Sequence, residues 1–306
     1  MELGMIGLGR MGANMTERLV RRGHRVVGHA RRPESVQKVV AFGADGAASL
    51  EMLVEKLTPP RTVWLMIPAG DPVDQAIQRL MSILARGDIV VDGGNSYYRD
   101  TLRRSRLLTE RGLRFVDVGT SGGIWGRTEG YSLMIGGDRE TVEYLRPIFE
   151  TLAPAPDRGW GHVGPHGAGH FVKMVHNGIE YGMMEALAEG FAILKRKAEF
   201  SLDLRRVAEI WRFGSVVRSW LLDLTASALR QDQELRDVAP RVADSGEGRW
   251  TVFEAIDLDS PAPVITHSLI QRLRSRDEYS YADRLLAVMR QQFGGHEVKR
   301  EGEPDA

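Results

Sequence analysis

Gly7-Leu8-Gly9-Arg10-Met11-Gly12 follows an apolar run at residues 3–6 and precedes an amphipathic stretch at 13–22. Its spacing is G-x-G-x-x-G, whose glycines permit a tight turn, close approach of the backbone to a pyrophosphate, and close packing of helix on strand. The amino end of the following helix then faces the anion. A glycine-rich turn without a ligand is the alternative, but a strand before the motif and a helix after it favour a dinucleotide site.

Short apolar runs alternate with amphipathic stretches through the first half of the chain, which is typical of a doubly wound parallel sheet. Strands are predicted at residues 3–6, 25–29, 62–67, 89–91, 115–118 and 132–135. A Gly- and Pro-rich stretch at 154–169 ends this pattern, and no convincing strand follows it. Helices are predicted at 170–198, at 204–229 as one or two helices, and at 266–293 as a pair.

The predicted fold class is therefore α/β. An N-terminal doubly wound Rossmann domain, which would bind the dinucleotide, occupies residues 1–165, and an all-helical C-terminal domain occupies residues 166–306. Two domains also agree with a length of 306 residues, which is ample to bury a hydrophobic core.

Composition excludes several classes of function. The chain carries 41 Lys and Arg against 41 Asp and Glu, so it lacks the positive field expected of a protein that binds nucleic acid or an acidic membrane. It has no cysteine, which excludes disulfides, thiolate metal sites and cysteine nucleophiles, and which fits a cytoplasmic protein. No apolar run reaches about 18 residues and no signal peptide is evident, so we expect no membrane segment.

The end of the second predicted strand bears on the choice of cofactor. A site for NAD places Asp or Glu here to bind the ribose 2′-hydroxyl, whereas this strand is followed by Arg31 and Arg32 and by no acid. A guanidinium can pair with a 2′-phosphate and stack on adenine. We therefore expect NADP, with NAD as the second choice. The alternative is that both arginines are solvated residues at the start of the next helix.

One predicted helix carries an unusual polar face. At 100° per residue, an arc of about 140° contains five polar side chains, those of Lys173, His176, Asn177, Glu180 and Tyr181. The opposite side, with Phe171, Val175 and Ile179, is predicted to pack on the domain. Gly178 lowers helix propensity by about 1 kcal/mol, which suggests a close approach at that point. A solvated face with i,i+4 pairs is the alternative to a functional one.

Several motifs resemble those of 6-phosphogluconate dehydrogenase, decarboxylating, in particular its short form, within the β-hydroxyacid dehydrogenase superfamily. Besides the first glycine motif, the resemblance rests on DGGNSYYRDT at residues 92–101, SGGIWG at 121–126, GAGHFVKMVHNGIEY at 167–181 and GEGRWT at 246–251. The wider superfamily shares the glycine motif, the Ser-Gly-Gly turn and the lysine. The Asp-Gly-Gly-Asn-Ser block and the residues after the lysine are narrower and indicate the sugar-acid branch.

The resemblance implies oxidative decarboxylation of 6-phospho-D-gluconate to ribulose 5-phosphate with reduction of NAD(P), in the pentose phosphate pathway. It implies that Lys173 is the general base at the 3-hydroxyl and that Glu180 is the general acid at C1. Asn177 and His176 would hold the hydroxyls and the carboxylate. No metal is expected, because a lysine ammonium can stabilise the enolate.

The resemblance also implies a set of substrate contacts. Ser121, Gly122 and Gly123 would bind the carboxylate, and Asn95 would lie between nicotinamide and substrate. Phosphate would be bound by Tyr181, Arg272 and Arg300, the last from a partner subunit, which implies a homodimer or homotetramer with shared active sites and a C-terminal domain used for substrate and dimerisation. Alternatively, Asn95 and Ser121-Gly122-Gly123 only shape turns, Arg272 is a surface arginine, and Arg300 belongs to a polar tail.

Two departures from the long form of the family affect the phosphate. Ser245 stands where the long form has a lysine, and Glu247 stands where it has a threonine. A glutamate beside a phosphate would repel it, so a requirement for the phosphate stays open. Two other functions also remain: a β-hydroxyacid dehydrogenase that does not decarboxylate, and a non-catalytic NADP-binding regulatory protein.

Overall fold

A computed structural model describes residues 1–294 and 297–298 of the chain. All six predicted strands form, and two short strands, β3 and β8, were not predicted. The strands are β1 (Glu2–Ile6), β2 (Arg25–His29), β3 (Asp45–Ala47), β4 (Thr62–Leu65), β5 (Ile89–Asp92), β6 (Arg114–Ser121), β7 (Ser132–Gly137) and β8 (Trp160–Gly164). The third strand has only three residues and the eighth lies in the Gly- and Pro-rich stretch, so neither shows an apolar run.

Helices account for most of the remaining described chain. They are α1 (Arg10–Arg21), α2 (Pro33–Val40), α3 (Leu50–Glu55), α4 (Asp71–Ile83), α5 (Tyr98–Glu110), α6 (Gly126–Glu129), α7 (Arg139–Leu152), α8 (Ala168–Arg196), α9 (Leu204–Trp211), α10 (Trp220–Gln231), α11 (Glu247–Asp257), α12 (Pro263–Arg274) and α13 (Tyr281–Gly294). Short 3-10 helices span Gly123–Trp125 and Ala198–Phe200. The predicted fold class is confirmed, although no helix was predicted where α11 lies, between the predicted helices at 204–229 and 266–293.

The sheet has the strand order β3-β2-β1-β4-β5-β6-β7-β8. Neighbouring strands are parallel except β6 and β7, which pair antiparallel from Val116↔Gly137 to Ser121↔Ser132. The prediction of a parallel sheet is therefore wrong for this pair. The physical reason is the connection: a parallel crossover needs about a dozen or more residues, usually with a helix, whereas residues 122–131 hold only short helical turns.

The sheet separates two hydrophobic clusters. Val90 of β5 belongs to one cluster and Val91 to the other, and Val27 and Val26 of β2 are divided in the same way. Alternate strand residues point to opposite faces, so burial on both faces accounts for the continuous Val- and Ile-rich strands.

Two compact units are present. The first comprises Met1–Glu180 and Gly246–Pro261, and the second comprises Tyr181–Ser245 and the described residues from Ala262 onward. The long helix α8 contributes to both units. The core of the second unit is formed by α8, α9 and α10, with buried side chains of Phe191, Leu204, Ala208, Leu222, Ala226 and Leu229. The predicted domain boundary at residue 165 stays a prediction. Across the described ranges, no helix combines the length and apolarity required to cross a bilayer.

Candidate active site

The glycine motif lies between β1 and α1, and its three glycines serve different ends. An added Cβ would lie 2.3 Å from the carbonyl oxygen of Met66 at Gly7, which has φ +95°, and 1.9 Å from the carbonyl oxygen of Gly7 at Gly12. At Gly9, which precedes the first residue of α1, it would meet nothing within 4 Å. The outer glycines are thus required by packing, whereas the middle one faces open space at a helix amino end that no side chain caps. This arrangement fits a pyrophosphate.

The other motif positions are divided between packing and exposure. Leu8 is buried and Met11 packs on the same hydrophobic cluster, whereas the Arg10 side chain is exposed. Leu8 and Met11 therefore hold the turn against the sheet.

Arg31 and Arg32 follow the end of β2, and Arg32 directly precedes α2. Both side chains are exposed, and neither makes an ion pair with any residue that the structure describes. They are therefore available to an anion, and they are equally compatible with the alternative of solvated residues at a helix start.

In the first unit, α8 brings four predicted site residues together. Nζ of Lys173 lies 3.5 Å from Nδ1 of His176, and that Nδ1 lies 3.0 Å from Oδ1 of Asn177 and 3.9 Å from Oε2 of Glu180. Lys173 is only 6% exposed. Burial lowers the pKa of Lys173 below its ordinary value, and the carboxylates of Glu180 and Glu247 oppose that shift. The result is a covered amine beside an imidazole and a carboxyl group.

The predicted orientation of this helix is right for Phe171, whose ring packs edge-on against Tyr98 with centroids 5.3 Å apart, and wrong for Ile179. Ile179, expected to pack on the domain, is 52% exposed, whereas Lys173 and Met174 are buried. The reason is that β6 and α11 cover the other side of the helix. The close approach predicted at Gly178 is confirmed, since an added Cβ would lie 2.7 Å from Cγ2 of Thr251.

Thr251 connects α11 to α8. Its Oγ1 donates to the carbonyl oxygen of Met174 at 2.8 Å or to that of Glu247 at 2.9 Å. Glu247, the first residue of α11, is buried and acts electrostatically on Lys173. Since α11 itself was not predicted, this effect of Glu247 was missed, and the SGEGRWT spacing gave no direct indication of it.

The turn after β5 rests on a buried charged network. Ser96 donates to Asp92 at 2.7 Å, and the backbone N–H of Gly94 donates to the same carboxylate at 3.2 Å. The guanidinium of Arg104 is fully buried; it lies 3.5 Å from Asp92 and donates to Ser96 at 3.2 Å. The side chain of Asn95 is exposed on this restrained turn. Sequence reasoning missed Arg104, although a strand that ends in a buried Asp suggests a nearby cation.

Ser121 is the last residue of β6, and Gly122 and Gly123 follow it. Gly122 has φ +129° and Gly123 has φ +50°, so both occupy backbone conformations that favour glycine. Ser121 is half-buried, and the adjacent side chains of Ile124 and Trp125 are about half exposed. The turn is accessible, as a ligand-binding loop must be.

In the second unit, Arg272 packs on Tyr181. Its Cζ lies 3.6 Å from the ring centroid, and its Nη1 donates to the carbonyl oxygen of Ala243 at 2.9 Å. The Tyr181 hydroxyl lies 3.4 Å from Oδ1 of Asp244 and 3.3 Å from Oγ of Ser245. Arg272 is 8% exposed, so the alternative of a solvated surface arginine is wrong.

Arg300 lies outside the described residues. Within residues 1–294 and 297–298, no cluster of three or more His, Asp or Glu side chains has a metal-binding arrangement.

Two family models match nearly the whole chain. The family model described as the NAD binding domain of 6-phosphogluconate dehydrogenase matches residues 2–163. The model of the 6-phosphogluconate dehydrogenase C-terminal domain matches residues 169–303.

The chain is similar both to relatives named as NAD(+)-dependent enzymes and to relatives named as NADP(+)-dependent enzymes. The NAD(+)-dependent decarboxylating 6-phosphogluconate dehydrogenase of Haloferax volcanii is 43% identical over 301 residues, which cover 98% of this chain and 99% of that protein. The NADP(+)-dependent enzyme of Bacillus subtilis is 38% identical over 301 residues, which cover 94% of this chain and 64% of the longer relative.

Solved structures agree with this result. Plasmodium falciparum 6-phosphogluconate dehydrogenase, solved as apo form and with NADP+ or 6-phosphogluconate, has a TM-score of 0.82 and 29% identity and covers 100% of this chain and 67% of its own. A 3-hydroxyisobutyrate dehydrogenase of Mycobacterium tuberculosis, with a TM-score of 0.73 at 20% identity over 91% of this chain and 94% of its own, shares the fold. The resemblance found in the motifs is thus confirmed, and the chain belongs to the 6-phosphogluconate dehydrogenase family.

Proposed function

We propose that this protein oxidises and decarboxylates 6-phospho-D-gluconate to ribulose 5-phosphate with NAD(P), in the pentose phosphate pathway. The observation that carries the proposal is the buried amine of Lys173 beside His176 and Glu180. Family membership and the names of the relatives support the same reaction.

Lys173 is proposed as the general base. A base must be neutral to accept a proton, and burial favours the neutral amine by lowering the pKa of Lys173. It takes the proton from the 3-hydroxyl of the sugar acid. The bound dinucleotide supplies the hydride acceptor for C3. The turn formed by Gly7, Gly9 and Gly12 would hold its pyrophosphate, with Asn95 next to the nicotinamide.

Glu180 is proposed as the general acid. Oxidation at C3 leaves a β-keto acid, whose ketone accepts the electron pair released as carbon dioxide departs. The Lys173 ammonium formed in the first step stabilises the resulting enolate oxygen. Glu180 then protonates C1 of the resulting enediol, the carbon that was C2 of the sugar acid. His176 lies within 3.5 Å of the lysine nitrogen and 3.9 Å of the Glu180 carboxylate, which supports its role in binding between them.

Substrate binding is proposed for two further groups of residues. Ser121, Gly122 and Gly123, together with Asn177, would bind the carboxylate and hydroxyls. Tyr181, Arg272 and Arg300 would bind the phosphate. Support for Arg272 is that its guanidinium packs on the ring of Tyr181, which places two of the proposed phosphate-binding side chains together, and that guanidinium groups bind phosphate bidentately.

NADP is proposed as the preferred cofactor and NAD as the second choice. Support comes from the exposed Arg31 and Arg32 beyond β2 and from the lack of an acid there. The relatives include enzymes named for each cofactor, so the preference requires a direct measurement.

A homodimer or homotetramer with shared active sites is also proposed. Exposed large apolar side chains in the second unit support it, namely those of Ile210, Phe213, Val216, Val217 and Trp220. Light scattering coupled to size-exclusion chromatography tests the mass in solution, and a monomer contradicts the proposal. A cytoplasmic location stays a prediction.

The function is tested by incubating the purified protein with 6-phosphogluconate and either NADP or NAD while reduced cofactor and carbon dioxide are both measured. Equal amounts of the two products are expected. Reduced cofactor without carbon dioxide indicates a non-decarboxylating β-hydroxyacid dehydrogenase, and neither product indicates a regulatory protein. A parallel series with gluconate measures whether the phosphate is required.

A further inference from the structure

One face of β6 meets the start of α8. Asp117, Gly119 and Ser121 alternate along the strand, so they share that face. The buried Asp117 accepts the backbone N–H of Gly167 on Oδ1 at 2.7 Å and that of His170 on Oδ2 at 2.9 Å. The first N–H groups of a helix lack partners within it, so this carboxylate satisfies two of them and fixes the amino end of α8 on the sheet.

Gly119 provides the space for the next turn of the helix. A Cβ at this position would lie 2.4 Å from Cβ of Lys173 and 2.7 Å from the carbonyl oxygen of Gly169. Both distances are far shorter than an ordinary van der Waals contact. Gly119 is not among the positive-φ glycines, so space and not backbone conformation excludes a side chain. The side chain of Lys173 therefore leaves α8 in direct contact with the backbone of β6 at Gly119.

Two further glycines make this contact close. A Cβ at Gly136 of β7 would lie 2.7 Å from Oδ1 of Asp117, and one at Gly169 of α8 would lie 2.6 Å from the Asp117 carbonyl oxygen. The helix thus approaches the sheet closely on both sides of Asp117.

We infer that Asp117 and Gly119 are positioning residues for Lys173. Asp117 holds the first turn of α8 on the sheet, and Gly119 leaves the space against β6 that Cβ of Lys173 occupies. The inference rests on the proposed role of Lys173 as the base. Neither residue touches the reacting atoms in this assignment. Their contribution is to keep the amine covered and in one place.

The charged and titratable groups that face Lys173 are His176 and Glu180 on its own helix and Glu247 from α11, while Asp117 on β6 is occupied by backbone N–H groups. Replacing Gly119 by Ala removes none of these groups. A change in the protonation of Lys173 in that variant therefore reports a change in its position and burial.

Gly119→Ala is the first test, with Gly161→Ala as the matched control, since Gly161 lies in β8 of the same sheet and an added Cβ there meets nothing within 4 Å. We expect kcat with 6-phosphogluconate to fall by about 100-fold, because small misplacements of catalytic groups have effects of that order. Cofactor affinity should remain within about twofold of wild type, since the glycine motif is untouched. The acidic limb of kcat/KM should move to higher pH, because a less buried amine regains a higher pKa.

Asp117→Asn is the second variant, for the case that Gly119→Ala does not fold. It preserves shape and leaves one oxygen to accept one of the two N–H groups. The same movement of the acidic limb and a fall in kcat of about tenfold are expected, as one hydrogen bond to a charged acceptor is lost. Wild-type kcat and an unmoved limb in a folded variant overturn the inference.

A readout without turnover separates this inference from the proposed function. Lys173 is labelled with an amine-selective reagent across pH and quantified by peptide mass spectrometry. The midpoint should lie at higher pH in Gly119→Ala than in wild type or Gly161→Ala. An unchanged midpoint contradicts the positioning role. A shifted midpoint in a protein inactive on 6-phosphogluconate supports positioning and rejects the proposed function instead.

Discussion

Nζ of Lys173 lies 3.5 Å from Nδ1 of His176, under the cover of β6 and α11. Lys173→Met keeps the length and the apolar stem of the side chain but removes the amine. We expect oxidation of 6-phosphogluconate to fall by more than about 100-fold, the usual lower range for loss of a general base. Steady-state kinetics measure this, and an unchanged NADP dissociation constant shows that the Rossmann fold is intact. A fully active Lys173→Met protein contradicts the mechanism.

The same variant should change how stability depends on pH. The pKa of Lys173 is lowered in the folded state, so the unfolded chain binds more protons between that pKa and the ordinary value of about 10.4. The free energy of unfolding of the wild-type protein therefore rises with pH through this window, and it is lower at pH values below the window. Urea unfolding across pH should show a weaker rise for Lys173→Met. Parallel curves for the two proteins would mean that the lysine is not buried as described.

Glu180→Gln should impair turnover far more than cofactor binding. The amide retains the size of the side chain but cannot donate a carboxyl proton, and such transfers contribute about 10²–10⁴-fold. Carbon dioxide and reduced cofactor are measured separately in single-turnover experiments. Glu189→Gln, an exposed change on the same helix, is the control and should retain wild-type rates. Equal activity of both variants removes Glu180 from the proposed acid role.

Arg31→Ala combined with Arg32→Ala should weaken NADP binding by about tenfold or more, since a charged hydrogen bond is worth roughly 1.5–3 kcal/mol. NAD, which lacks the 2′-phosphate, should lose little. The measurement is the ratio of kcat/KM for the two cofactors. Arg22→Ala, an exposed arginine at the end of α1, serves as control. If both cofactors are weakened equally, the arginines do not distinguish them.

Arg272→Lys should raise the KM for 6-phosphogluconate by about tenfold, because lysine retains the charge but loses the planar guanidinium that stacks and binds bidentately. The value for gluconate should change much less. Arg274→Lys, on the same helix and largely exposed, is the control. A similar loss for both substrates would indicate a purely structural role of Arg272 on Tyr181.

Gly178→Ala and Gly190→Ala, both in α8, should have opposite effects on stability. At Gly178 the added methyl group meets Thr251 at 2.7 Å, so we expect a loss of about 1–3 kcal/mol. At Gly190 nothing lies within 4 Å, and alanine should stabilise the helix by about 0.5–1 kcal/mol. Chemical denaturation measures both. A destabilised Gly190→Ala protein would contradict the open space described there.

Local patterns predicted much of this fold because the Rossmann unit is built from short-range rules. The glycine motif and β2, whose bounds match, depend on residues within a few positions of each other. The strands β3 and β8 were missed because neither contains an apolar run: β3 has only three residues, and β8 lies in the Gly- and Pro-rich stretch. The antiparallel pairing of β7 with β6 follows from the short connection between them. The apolar run that predicted β7 contains no information about the direction of pairing.

The candidate site shows the same division. The polar residues of α8 were found because helical periodicity groups Lys173 with Glu180. The orientation of the helix was found only in part, because Gly119 and Thr251, distant in sequence, decide which side is covered. Arg272 was assigned by family resemblance, and its stacking on Tyr181 is visible only in the folded unit.

The network beneath Asn95 has a practical consequence for redesign of this enzyme. Asp92, Ser96 and Arg104 share one buried set of hydrogen bonds, so a library that varies them will sample broken folds more often than altered substrates. Asn95 stands outside that set on the same turn. With Asn95 placed beside nicotinamide and substrate as proposed, we expect substitutions at this position to alter substrate scope while the scaffold is left intact.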